Sequence, residues 1–276
     1  MAPAWMPPAR FWLAWPQATG DRERDEAARE DCLGLAEMLS DFAPVSLICA
    51  SCDAAEVALR TPPNVAALAA EHDGSALRGQ APLWLVDGGG ALAAAIAFTP
   101  LARQLAGLAG VPVLDPPPGL PHSLESDGEG TVLAAVPAAL RASAEAALRD
   151  WLGVECPVWL DPVVPSAPAA RFLAPGLVVL PPHPANHQTL EAVTDARGRR
   201  LMLVEVPATK RGEGCYADCL VAGEAVVVPD FEDGRGTEAF ARVSTAALGR
   251  RVSAFPAGWL APAQAGLGAV AVVQPA

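Results

Sequence analysis

Helical and strand-like segments alternate along the chain, and this alternation predicts an α/β fold. Apolar residues recur with the spacing of a helix over residues 25–39, 138–152 and 238–248. Short apolar runs, such as residues 45–48 and 225–228, lie between these helices and are typical of buried strands. Since 52% of the 276 residues are hydrophobic, the chain can bury a large core. Periodicity alone leaves open whether the sheet is open, closed into a barrel or divided like a propeller.

The first two predicted helices are each followed by a strand. The apolar face of the helix over residues 25–39 consists of Ala28, Cys32, Leu35 and Leu39. Residues 45–48 form the next strand. The helix over residues 138–152 precedes Gly153, which is placed to cap its C-terminus, and residues 158–160 form the strand after it.

The third predicted helix covers residues 238–248. Thr237 precedes it and can cap its N-terminus, and Gly249 follows it and can cap its C-terminus. Residues 201–206 and 225–228 are apolar enough to form buried strands before it.

Two further segments combine strand-like runs with turn residues. Residues 83–86 end at the turn Asp-Gly-Gly-Gly over residues 87–90, which lacks the Lys-Ser/Thr pair that completes a phosphate-binding loop. Residues 124–133 are centred on Asp-Gly-Glu-Gly at residues 127–130, the tip of a predicted hairpin. Because no long linker or charge block divides the chain, we predict a single domain over residues 1–276.

The net charge and the N-terminal sequence indicate which partners and which cellular compartment to expect. The net charge of −12 disfavours nucleic acid and anionic membrane surfaces and favours cationic ligands. No signal peptide is visible, and prolines and polar residues interrupt the longest apolar stretch, residues 91–114. The six cysteines are too few for a disulfide scaffold of this length. These features predict a cytoplasmic protein without a membrane partner.

Several short segments together resemble a known family. Residues 12–16 read Trp-Leu-Ala-Trp-Pro, residues 127–131 read Asp-Gly-Glu-Gly-Thr, residues 170–176 read Ala-Arg-Phe-Leu-Ala-Pro-Gly, residues 216–231 begin with Tyr-Ala-Asp, and residues 266–275 read Gly-Leu-Gly-Ala-Val-Ala-Val-Val-Gln-Pro. In order and spacing they are similar to the agmatine deiminases and the related bacterial peptidyl-arginine deiminases. The resemblance implies a pseudo-fivefold α/β propeller of ββαβ units with the active site on its axis. The chain is short for that family, which implies trimmed loops or a trimmed unit.

The C-terminal segment departs from the family where the chemistry takes place. The family reads Gly-Ile-His-Cys there, and its cysteine is the nucleophile that attacks the guanidinium carbon. The resemblance places Ala269 at the cysteine and Gly268 at the histidine before it. Alanine has no lone pair with which to attack carbon.

The other family positions of chemical importance are also replaced. A histidine and a carboxylate come from Gly-His-x-Asp, and the matching positions here are Pro165 and Ala167. An aspartate comes from Arg-Asp-x-Gly-Pro, where this chain has Gly79, and a glutamate from Leu-Glu-Gly-Gly, where the match is Leu120. By resemblance, the proton carrier and the carboxylates that grip a guanidinium are therefore lost with the nucleophile. We expect a pocket that is smaller than the site of an active family member. We also expect it to be more apolar and less negative than the acidic surface around it.

Three classes of function remain open. The first is a non-catalytic binding or regulatory relative of the deiminases, whose partner is a small guanidino or other ligand, a second copy of the chain or an active paralogue. The second is an active hydrolase of a guanidino compound, such as agmatine or peptidyl-arginine, with displaced catalytic residues. The third is a thiol or metal protein that uses Cys49, Cys52, Cys215 and Cys219. We expect no cofactor and no metal, and the side chains around the axial pocket separate the first two classes.

Two histidine patterns are weaker candidates. His183 and His187 have the i, i+4 spacing of helical metal ligands, but the prolines around them favour a loop. His122 and Glu125 flank the predicted hairpin and could act as an acid–base pair.

Overall fold

The helices and strands of the chain form an α/β structure with five small sheets. The computed structural model describes residues 1–72, 76–163, 168–210, 214–247, 249–260 and 265–276. The strands are β1 (Pro8–Ala14), β2 (Val45–Cys49), β3 (Val65–Ala69), β4 (Leu83–Val86), β5 (Leu92–Ile96), β6 (Val113–Leu114), β7 (Glu125–Ser126), β8 (Thr131–Ala134), β9 (Cys156–Trp159), β10 (Arg171–Ala174), β11 (Leu177–Leu180), β12 (Met202–Glu205), β13 (Leu220–Ala222), β14 (Ala225–Asp230), β15 (Arg251–Pro256) and β16 (Ala271–Pro275). The helices are α1 (Arg22–Ser40), α2 (Ala54–Arg60), α3 (Pro100–Leu108), α4 (Arg141–Leu152), α5 (Pro184–Ala192), α6 (Gly236–Ala246) and α7 (Leu267–Val270).

Each sheet repeats one unit of structure. Its first two strands are antiparallel and its third is parallel to the second, as in β4-β5-β6, β7-β8-β9, β10-β11-β12 and β13-β14-β15. A helix lies between the second and third strands because a parallel pair needs a crossover connection. The predicted ββαβ units are therefore confirmed.

The two ends of the chain share the remaining sheet. Its order is β16-β1-β2-β3, and β16 runs antiparallel to β1, with Phe11 opposite Val273. The C-terminal strand thus supplies the first strand of this unit, and all five units are present. The shortness of the chain does not reflect the loss of a unit.

The apolar core shows that the five units form a closed ring. One buried cluster joins each pair of neighbouring sheets. The clusters contain Ile48 and Trp84, Ile96 and Val132, Leu133 and Phe172, Val179 and Val226, and Val227 and Leu13. These five pairings return to the first sheet. The core is therefore a cycle of interfaces between units, which is the arrangement of a propeller.

Local sequence signals place the first helices correctly. Asp21 caps α1 by accepting hydrogen bonds from the backbone N–H groups of Glu23 and Arg24, so the helix begins before residue 25. Gly153 ends α4 in the left-handed conformation with φ 64°, as expected for a glycine C-cap. No helix of the described residues is both long and apolar enough to cross a membrane.

Two sequence-based predictions of helix geometry are wrong. α6 begins at Gly236 with Arg235 at the N-cap, which leaves Thr237 inside the first turn. His183 and His187 do not lie in a loop, because α5 begins at Pro184. Proline is favoured in the first turn, where its missing N–H has no partner to lose, and His183 caps the helix by accepting a hydrogen bond from Asn186 N.

Candidate functional site

Five side chains or backbone positions meet on the axis of the ring, one from each unit. Each lies in or just before the first strand of its sheet: Arg78 before β4, Glu125 in β7, Arg171 in β10, Asp218 before β13 and Gly268 before β16. The three-residue 3₁₀ helix Leu77–Gly79 contacts α7, and β7 contacts β10. The innermost strands therefore bring together residues that are far apart in sequence.

Asp218 is the fully buried centre of this cluster. Its Oδ1 atom accepts a hydrogen bond from Arg78 Nη2 and lies 3.5 Å from Arg171 Nη1. Its Oδ2 atom accepts a hydrogen bond of 2.9 Å from Gly266 N, and its carbonyl accepts one of 3.1 Å from Gly268 N. One aspartate thus joins two arginines to the C-terminal segment.

Arg171 is buried and is paired on two sides. Its Nε atom lies 3.1 Å from Glu125 Oε1, and its Nη1 atom donates to the carbonyl oxygen of Cys219. Burial lowers the pKa of Arg171, but the attraction of Glu125 and Asp218 outweighs it and raises that pKa overall. The guanidinium therefore stays charged in the interior.

The absence of a side chain at Gly268 leaves room for both guanidinium groups. A Cβ atom built at Gly268 would lie 2.5 Å from Arg78 Nη2 and from Asp218 Oδ1, and closer still to Arg171 Nη1. Contacts this short do not occur between real atoms, so no larger residue fits unless the cluster moves. The space beside Gly268 is filled by arginines from two other units.

A cavity of about 150 Å³ adjoins this cluster. Arg78, Arg171 and Glu125 lie on its wall together with His122 and Trp84, and the segment 1–4 covers it from one side. The wall is therefore mixed: most of its residues are apolar, as expected, and Arg78, Arg171 and Glu125 add charged groups to it.

The six positions predicted from the resemblance have different locations. Gly79 and Ala269 lie on the contacting 3₁₀ helix and α7; Gly79 is exposed, whereas Ala269 is completely buried beside Gly268. Leu120 belongs instead to the apolar cluster between the second and third sheets. Pro165 and Ala167 lie outside the residues that the structure describes.

His122 and Glu125 both reach the cavity, but the carboxylate of Glu125 pairs with Arg171. The His122 ring stacks on Phe98 with 4.5 Å between ring centroids. Burial lowers the pKa of His122, which favours the neutral imidazole.

The cysteines do not provide an evident replacement nucleophile. Burial raises the pKa of Cys215 and of Cys219 to about 12, with the negative charge of Asp218 adding to the effect. Cys49 lies in a different core cluster from Cys215. Within the described ranges, no group of three or more His, Cys, Asp or Glu residues is arranged to hold a metal.

Sequence reasoning used Arg78 and Arg171 only as flanks of motifs and missed Asp218 as the group that links them. One signal was present: Asp218 stands third in Tyr-Ala-Asp, where the family pattern is Tyr-x-Asn. A single carboxylate within the apolar run 215–222 needs a cationic partner if it is buried.

Comparison with known proteins identifies the family. The model of the Porphyromonas-type peptidyl-arginine deiminases matches residues 1–275. A Streptomyces coelicolor protein named for agmatine deiminase is 31% identical over 271 residues, which cover 79% of this chain and 80% of the relative.

Two solved structures show the same fold at low sequence identity. Agmatine deiminase of Enterococcus faecalis superposes with a TM-score of 0.86 at 17% identity, over 100% of this chain and 95% of that one. Agmatine deiminase of C. jejuni gives 0.78 at 16% identity, over 99% and 94%. With the ring of five ββαβ units and the match along the whole chain, this protein belongs to the family of Porphyromonas-type peptidyl-arginine deiminases and agmatine deiminases.

Proposed function

We propose that this protein does not deiminate guanidines and acts instead as a binding or regulatory member of its family. One observation carries the proposal. Ala269, which the resemblance matches to the family's nucleophile, is buried, and the space beside Gly268 is filled by the chain's own guanidinium groups.

The first support is the lack of a suitable nucleophile near the cluster. Attack on a guanidinium carbon needs a thiolate or a similarly activated group. Burial raises the pKa of Cys215 and Cys219 to about 12, so both thiols are protonated at pH 7 and are poor nucleophiles. Both side chains are also buried.

The second support concerns substrate binding. A guanidinium is recognised by carboxylates that accept paired hydrogen bonds. Here Asp218 and Glu125 are already paired with Arg78 and Arg171. Agmatine, a dication, would find no free carboxylate in this cluster, and burying its charge there without a partner would cost free energy.

The proposed partners follow from these features and the surface charge. A second copy of the chain or an active paralogue of similar fold could assemble with this protein, and a small ligand could occupy the cavity. The net charge of −12 makes nucleic acid and an anionic membrane poor partners.

The alternative is an active hydrolase of a guanidino compound with displaced catalytic residues. It is favoured by one observation, that His122 and Glu125 line the same cavity. A histidine and a carboxylate beside bound water could transfer protons. In that case turnover would depend on His122.

The test is a turnover assay on purified protein with agmatine, free arginine and a peptide ending in arginine. Ammonia and the ureido product are both measured, and an active deiminase serves as the positive control. We expect no product above the uncatalysed background, also from Ala269→Cys, because the new thiol would lack a proton carrier and an oriented substrate. Turnover that is lost in His122→Ala but kept in His187→Ala would establish the alternative and refute the proposal.

A further inference from the structure

The charged groups on the cavity wall suggest a ligand of opposite sign from the family's substrates. Arg78, Arg171 and Glu125 lie on the wall, whereas Asp218 is completely buried behind the two arginines. The wall therefore carries two positive charges and one negative charge. With Asp218 the cluster is neutral, whereas the protein as a whole has a net charge of −12, so the groups that face the cavity are less negative than the protein on average.

Arg78 is the cationic group that a ligand can reach. Its side chain is 18% exposed, whereas that of Arg171 is 9% exposed and is held by Glu125, Asp218 and the Cys219 carbonyl. A guanidinium carries five N–H donors in a planar fork, which fits the two oxygens of a carboxylate. Asp218 fixes this fork in place through Nη2.

Two further polar atoms belong to residues of the wall. Trp84 Nε1 and His122 Nε2 are buried and have no hydrogen-bond partner among the described residues. The indole N–H is only a donor. A buried donor without a partner costs free energy, and an acceptor within reach removes that cost. The unsatisfied indole therefore also favours a ligand rich in acceptors.

The volume limits the size of such a ligand. A cavity of about 150 Å³ is comparable to one that holds a benzene molecule, which corresponds to roughly six non-hydrogen atoms. A carboxylate with three or four carbon atoms fits this limit.

We infer that the axial cavity binds a small aliphatic monocarboxylate, with Arg78 as the residue that pairs with the carboxylate group. This inference gives the binding role proposed above a ligand class, and it rests on that proposal because it assumes that the site no longer accepts guanidinium substrates. The same centre that binds a cation in the enzymes would thus bind an anion here.

The test uses ¹⁵N-labelled full-length protein and titrates propionate and butyrate at constant ionic strength, with chloride replaced by the added anion. Arginine side-chain Nε–Hε signals are followed, and the Arg78 signal is assigned by its loss in Arg78→Gln. For ligands of about six heavy atoms we expect saturable shifts with a Kd on the order of 1–10 mM. The exposed Arg103, which does not line the cavity, serves as the internal control.

Variant proteins supply the second measurement, by calorimetry with propionate. Arg78→Gln should weaken binding at least tenfold, whereas Arg103→Gln should leave it unchanged. Circular dichroism shows whether Arg78→Gln is folded; if it is not, Arg78→Lys, which also lacks the arginine Nε–Hε signal, provides the assignment and the titration of the natural protein decides. A lack of saturation by any carboxylate up to about 50 mM, equal shifts at Arg78 and Arg103, or preferential binding of agmatine would overturn the inference. Failure to bind carboxylates leaves the absence of deiminase activity untouched, whereas turnover of agmatine would refute the proposed function.

Discussion

At the scale of single residues, the lack of a side chain at Gly268 makes room for the side chains of Arg78 and Arg171. Gly268 has no Cβ, and the guanidinium groups of Arg78 and Arg171 lie in the space that a Cβ would need. Asp218 neutralises part of their charge and holds the backbone of Gly266 and Gly268. The glycine at position 268 is therefore a structural requirement of the buried ion cluster.

Gly268→Ala should destabilise the protein by about 2–4 kcal/mol, because the added methyl group overpacks the site and separates buried ion pairs. Urea denaturation followed by circular dichroism measures this change. The matched control is Gly79→Ala, since a Cβ at exposed Gly79 meets no atom within 4 Å; it should change the free energy of unfolding by less than about 0.5 kcal/mol. Equal effects of the two substitutions would contradict this account of the cluster.

At the scale of elements, the connection between α5 and β12 depends on one buried carboxylate. Asp195 Oδ1 accepts hydrogen bonds of 2.9 Å from Arg197 N and 2.8 Å from Arg199 N, and Oδ2 accepts one of 2.6 Å from Arg199 Nε. Burial of Asp195 raises its pKa, but these hydrogen bonds and the charge of Arg199 outweigh burial and lower it overall. The charged form is thus the one that stabilises the turn.

Asp195→Asn should lower the free energy of unfolding at pH 7 by about 1–3 kcal/mol. Because the folded-state pKa of Asp195 is lowered, its contribution is complete above the unfolded value of about 3.9 and is lost as the pH falls through the folded value. The difference between natural protein and variant should therefore shrink below about pH 4. Urea titrations at pH 7, 5 and 3.5 test this, with exposed Asp115→Asn as control; a difference that is constant with pH would contradict it.

At the scale of the whole molecule, the ring is closed by strands from the two ends of the chain. β1 pairs with β16, and Ala276 N donates a hydrogen bond of 2.9 Å to Pro7 O. The apolar clusters make each unit depend on both of its neighbours. Stability therefore depends on closure of the ring, and an opening in an exposed turn keeps every strand pair that closes it.

A circular permutant that joins residues 276 and 1 by a short Gly/Ser linker, with new ends in the exposed turn 87–90, should fold. All strand pairs are kept, and exposed turns tolerate new termini. The circular dichroism spectrum should match that of the natural protein. The Tm should fall by only a few degrees, which corresponds to a loss of about 1–2 kcal/mol in the free energy of unfolding. A control permutant opened between Val226 and Val227 in buried β14 should not fold. If the permutant opened at residues 87–90 fails to fold, closure of the ring is not sufficient for folding.

Much of the secondary structure could be predicted from the sequence because its signals are local. The apolar stripe of α1, the Gly153 cap of α4 and the turn at residues 127–130 each depend on residues within a few positions of one another. The motifs along the chain predicted the family and hence the ring of ββαβ units. Pro184 misled the prediction because the same residue that interrupts a helix is favoured in its first turn.

What the sequence determined by itself was therefore the type of fold and the repeated unit. Only the tertiary structure decided what fills the centre. Arg78 and Asp218 are 140 residues apart, and Arg171 and Asp218 are 47 apart. No local pattern records such pairings, because they arise when the first strands of different units meet on one axis. The same convergence excluded Leu120 from the cavity wall and placed Glu125 there.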